Sequence, residues 1–225
     1  MIEFKKLRLH KVFRKTHDPI WHLQLGILVV MALQYFTDDS FLPYNKFIII
    51  GFEFALMIVL GVLTSEGYSR VSKLRRTVAV ILIAIITAIN VFSLVFLIRA
   101  LFADTSTQVG GEQLLLNSLV IYITNIFILA LWYWEMDGGG PDHRVANLRK
   151  HDFLFPQMIH TRLADDDWQP GFVDYLYLST TNVTNFASAD TIPVTHRAKF
   201  LMMIQAISAL LTVALVAARA IGILQ

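Results

Sequence analysis

Residues 181–195 read TNVTNFASADTIPVT, and their reading decides the fold. Threonines, asparagines, an aspartate and a proline interrupt a chain that is otherwise apolar on this scale. Backbone that leaves the helix at bilayer depth must find its hydrogen bonds in protein or in a water-filled cavity. Just upstream, residues 172–184 can form a helix of about 20 Å at about 1.5 Å per residue, too short for a hydrocarbon core of about 30 Å. Just downstream, Ala198–Leu224 is apolar for long enough to cross. A short helix, an extended polar segment and a full-length helix together make the layout of a re-entrant segment.

The rest of the chain supports a membrane setting. Of 225 residues, 56% are hydrophobic and 16% charged, with the charges gathered into short runs between long charge-poor ones. A crossing helix needs about 20 mostly apolar residues. Besides Ala198–Leu224, four stretches approach or meet that length: Ile20–Phe36, Tyr44–Thr64, Thr77–Phe102 and Leu114–Trp134. The expected fold is all-α, a polytopic membrane protein with five transmembrane helices and a re-entrant pore helix and loop before the last. Three regions follow: a basic N-terminal segment (1–17), a three-helix peripheral region (18–112) and a pore-like module (113–225). No cleavable signal peptide is recognisable, so the first span is expected to direct insertion.

Charge sets the expected orientation. Lys5, Lys6, Arg8, Lys11, Arg14 and Lys15 alternate with Ile2, Phe4, Leu7, Leu9, Val12 and Phe13, which suits either a basic amphipathic helix on an anionic lipid surface or a plain basic flank. Putting this end in the cytoplasm also puts Arg70, Lys73, Arg75 and Arg76 there, as the positive-inside rule favours. Four spans then return the chain to the cytoplasm, so the polar stretch from Glu135 to Pro170 lies inside and the re-entrant segment enters from the cytoplasmic face. That stretch, with DGGGPDHR and DDD, is expected to be a loop or short surface helices.

From Gly171 to Leu224 the chain resembles the pore module of the potassium-channel superfamily, in which a tilted pore helix leads into T-x-G-[YF]-G-D, a proline and the pore-lining helix. Thr184, Asn185, Phe186, Ala187, Ser188, Ala189 and Asp190 fall on the family's T-T-V-G-Y-G-D, Pro193-Val194-Thr195 on its P-V-T, and ALVAARAIG (214–222) on the end of its inner helix. About a quarter of the chain takes part. The chain is also similar to uncharacterised bacterial integral membrane proteins with an ALWYWE-D-GGP fourth span and an F-x-x-x-D-T-x-P pore-like segment, which implies a multi-pass protein of the cell inner membrane. The pore resemblance implies a homotetramer, since one segment cannot enclose a pore, and monovalent cations as the permeant species. Ala214, Ala218 and Gly222 form a small-residue stripe suited either to such packing or to an internal bundle contact.

The departures weaken the filter. Potassium filters aim backbone carbonyls at the ion, and their glycines adopt backbone angles costly for alanine, yet Ala187 and Ala189 occupy those places. Side-chain oxygens of Thr181, Thr184, Asn185, Ser188 and Asp190 would therefore meet an ion, giving a hydrated and weakly selective route. The alternative is a small transporter-like or accessory protein whose re-entrant loop binds a solute or partner and does not conduct.

Three polar residues fall inside spans: Glu53, Asn90 and Asn125, expected at similar depth. A carboxyl there is costly unless neutral or paired, so Glu53 is either a proton- or cation-responsive group or interhelical glue bonded to an asparagine. His143, His151 and His160 with Asp142, Asp152 and Asp165–Asp167 match no metal-ligand spacing. DGGGPD lacks the Lys-Ser/Thr of a phosphate loop, and no hydrolase, zinc-protease or kinase signature is present. No enzyme activity, cofactor, metal or nucleic-acid partner is expected. Without cysteine there is no disulfide or thiolate chemistry.

Overall fold

The structure is a computed structural model that describes residues 21–37, 39–65, 71–102, 111–145, 149–160, 168–185 and 190–223. The protein is an all-α membrane protein. Its long helices are α1 (Trp21–Phe36), α2 (Lys46–Ser65), α3 (Val71–Phe102), α4 (Gly111–Met136) and, at the end of the chain, α8 (His196–Ile223). Between α4 and α8 lie the short helices α5 (Pro141–Val145) and α6 (Pro156–Ile159), the strand β1 (Phe153–Leu154), the helix α7 (Phe172–Thr184) and the strand β2 (Ile192–Pro193). The basic segment 1–17 falls outside the described residues.

Four of these helices, α2, α3, α4 and α8, are long and apolar enough to cross a membrane. The first apolar run is shorter: 16 residues in α1, about 24 Å at about 1.5 Å per residue. Its apolar side still faces inward, with Leu23, Ile27 and Val30 packed in the same core as Leu82, Ile83 and Ile86 of α3 and Leu129, Tyr133 and Trp134 of α4. The spacing of four and three residues along α1 is that of one helix face.

Helix α4 is the hub. It packs against α1, α3, α7 and α8, and 56% of its apolar window is buried within the protomer, against 22% for α2 and for α8. Phe47, Ile48, Phe52, Ile58 and Val62 of α2 and Phe200, Met203, Ile207 and Leu210 of α8 are exposed. In water such surfaces would be a liability, but in a bilayer they are compatible with contact to lipid tails.

The elements sort to two ends. Phe41, Leu97 and Leu114 meet in a small cluster at one end. At the other, Arg75 and Arg76 near the start of α3 approach Glu135 near the end of α4, at 3.8 and 3.7 Å.

Candidate functional site

The site is built on the last turn of α4, where WYWEMDGGGPDHR (132–144) stops the helix and turns the chain back. Gly138, Gly139 and Gly140 all have positive φ, at 59°, 88° and 100°, a region costly for residues with a Cβ. A Cβ on Gly140 would meet the Glu135 carbonyl oxygen at 3.2 Å. The turn brings Arg144 back under the helix end. Its Nη1 donates to the carbonyls of Trp134 and Asp137, at 2.5 and 2.8 Å, and its guanidinium lies over the Trp134 and Tyr175 rings, 5.7 and 5.2 Å from their centroids. A cation on the last carbonyls satisfies groups that every helix end leaves unpaired.

Asp137 is fully buried and gathers donors from three elements. Tyr175 Oη of α7 donates to its Oδ2 at 2.6 Å and His151 Nδ1 lies 2.8 Å from the same oxygen, while the backbone N–H groups of Asp152 and Phe153 reach Oδ1. Asp152 continues the network. It accepts from the Gly138 N–H and the Thr195 hydroxyl, and its carbonyl accepts from the Val194 N–H. Strand β1 pairs antiparallel with β2, Phe153 opposite Pro193 and Leu154 opposite Ile192.

These bonds set the course of residues 172–195. Helix α7 begins with the Asp174 carboxylate accepting the Gly171 N–H at 2.8 Å, the back-bonding half of a capping box. It then runs antiparallel to α4: Tyr175 lies at Asp137, Ser179 Oγ donates to the Ile126 carbonyl at 2.7 Å, and the Tyr122 hydroxyl reaches the Val183 carbonyl at 3.5 Å. With 13 residues it covers about half the length of α4 at about 1.5 Å per residue. By β2 the chain is back beside Asp152, where it began, and α8 departs from there along the whole bundle. Gln205 of α8 locks the inner end of α7. Its amide donates to Ser179 Oγ at 2.6 Å, and its Oε1 accepts from Asn182 and from the Tyr133 hydroxyl.

The residues expected to meet an ion divide into three groups. Thr184, Asn185 and Asp190 are exposed on the protomer. Thr181 is buried, its hydroxyl turned onto the Tyr177 and Leu178 carbonyls of its own helix. Phe186, Ala187, Ser188 and Ala189 lie outside the described residues. In the small-residue stripe Ala214 is exposed, and the side chains of Ala218 and Gly222 are outside the description.

Among the described residues, the three intramembrane polar residues share no hydrogen bond with one another. Glu53 Oε1 accepts from Gln34 Nε2 at 3.2 Å, Asn90 donates to the Ile121 carbonyl at 3.3 Å and Asn125 donates to Ser208 Oγ at 2.7 Å. Each ties a different pair of helices. Sequence reasoning also missed the buried network of Glu135, Asp137, Arg144 and Asp152, because charge density suggested a solvated loop. The signal was present in GGG followed closely by Arg, a tight turn that returns a cation to a helix C-terminus. His151 belongs to this network, while Asp165–Asp167 lie outside the described residues.

No family model, curated protein or solved structure matches this chain. Function must therefore be inferred from geometry and chemistry.

Proposed function

We propose that this chain is a channel-like membrane protein: a homotetramer whose re-entrant segment, 172–195, lines a weakly selective cation pathway. One observation carries the reading. Helix α7 follows α4 for about half its length, the chain returns to the end where α7 began, and only then does α8 run the length of the bundle. An outer helix, a half-length helix, a returning polar strand and a full-length inner helix are the parts of a pore module. Thr184, Asn185 and Asp190, exposed on the single protomer, supply hydroxyl, amide and carboxylate oxygens to an axis formed by four copies, and hard cations favour such ligands.

The exposed apolar residues of α8 provide a surface for neighbouring copies. Arg75, Arg76, Arg144 and Arg197 gather at the end where the segment enters, so by the positive-inside rule that end is cytoplasmic and α1 serves as a fifth, short crossing.

Reconstitution into vesicles tests the reading, comparing fluxes of potassium, sodium and protons. Expected is cation flux with little discrimination between potassium and sodium, reduced in Asn185→Ala and Asp190→Ala. Absent flux, or flux indifferent to both substitutions, overturns it and leaves 172–195 as a packing or docking element. In cells, labelling of Gln225→Cys only from the cytoplasmic face would refute the orientation.

A further inference from the structure

Away from the pore-like module, a small polar cavity lies between α1, α3 and α4. Gln34 and Thr37 line it from the end of α1, Asn90 and Ser93 from α3 and Thr124 from α4; its other walls are apolar. Its volume is about 10 Å³, room for about one water-sized occupant. We propose that this cavity binds a single monovalent cation of sodium size, stripped of its water, with Glu53 as counter-charge.

The chemistry of the lining points to a cation. Gln34 and Thr124 are 4% and 3% exposed, yet Gln34 Oε1 and Thr124 Oγ1 have no hydrogen-bond partner among the described residues. Most donors around them are committed elsewhere, leaving one N–H each on the Gln34 and Asn90 amides. Gln34 Nε2 is given to Glu53, the Thr37 hydroxyl to the Leu33 carbonyl, the Asn90 amide to the Ile121 carbonyl, and the Ser93 hydroxyl to the Phe41 carbonyl at 2.7 Å. What these side chains offer the cavity is chiefly oxygen lone pairs, on Gln34 Oε1 and Thr124 Oγ1 above all, the ligands hard cations take. A water could also donate to these oxygens, and a salt titration separates it from an ion.

Charge selects the valence. No lysine, arginine or histidine lines the cavity. Glu53 is fully buried, and its bond to Gln34 polarises that amide, increasing the negative charge on the oxygen at its other end. The carboxylate thus acts on the cavity through Gln34 without touching it. One carboxylate balances one positive charge, and among the described residues no cluster of three His, Cys, Asp or Glu could hold a metal ion, so a divalent ion would remain under-neutralised.

The test needs no flux and stands apart from the pore reading. The full chain in detergent is titrated with sodium chloride against N-methylglucamine chloride at constant ionic strength, following Tm, with radioactive sodium binding by dialysis in parallel. Expected is a saturable rise in Tm with sodium, a smaller one with potassium, and a single saturable sodium site per chain. Both signals are lost in Thr124→Val, which preserves side-chain shape, and in Glu53→Gln. A folded wild-type chain whose Tm ignores sodium, the outcome if the cavity holds only water, overturns the proposal. So does a sodium response that survives both substitutions.

Discussion

At the turn that follows α4, Asp137 takes hydrogen bonds from Tyr175, Asp152 and Phe153 and sits against His151, while Arg144 covers two helix-end carbonyls. Farther along the same bundle, Gln34 Oε1, Glu53 Oε2 and Thr124 Oγ1 are as deeply buried and have no such partners among the described residues. Both regions pay for desolvation, but Asp137 recovers it on both carboxylate oxygens within the protein, whereas Glu53 does so on one. A matched network holds segments in register. Unmatched oxygens around a cavity make sense with a ligand.

Substitutions can break each side of this contrast. The largest effect is expected at Asp137→Asn, which keeps the shape but presents an amide to donors that need acceptors. Losing one member of a buried charge network costs about 3–5 kcal/mol, a large part of a typical folding stability of about 5–15 kcal/mol. Thermal unfolding in detergent should show a strongly lowered Tm, and an unchanged Tm would mean that the network is not structural. Next comes Gly140→Ala, which adds a Cβ 3.2 Å from the Glu135 carbonyl at φ 100°. Strain there costs about 1–3 kcal/mol, visible as a moderate Tm loss, while Ala at exposed Gly51, where a Cβ meets nothing within 4 Å, should cause no loss. The smallest effect is expected at Thr124→Val without sodium. Removing an unpartnered buried hydroxyl is neutral or stabilising by about 1 kcal/mol, and a drop in Tm would show that this hydroxyl already has a partner.

The short helix was legible because residues 172–184 end in a polar run, and α7 has those bounds. The spans at α2, α3, α4 and α8 were legible from apolar run length, within three residues at each end except the start of α3, which lies six residues earlier than expected. The short helices in the charged stretch after Trp134 were expected, but its burial was not, for an equally physical reason. Aspartate and arginine are usually solvated, and nothing local says that Tyr175 and His151, distant in the chain, will arrive to bury them. Likewise Glu53, Asn90 and Asn125 were recognisable as costly polar groups, but their helix rotations were not, so their separate partners could not be inferred.

Composition and run length suffice for a helical membrane protein with a polar break before its last helix, because the bilayer imposes a length and a polarity that each segment must satisfy alone. The pairing of Ile192–Pro193 with Phe153–Leu154 beside Asp152, the burial of Asp137 and Arg144, and the oxygen-lined cavity beside Gln34 and Thr124 depend on side chains from distant segments meeting. Such contacts are satisfied only jointly, so packing decided them.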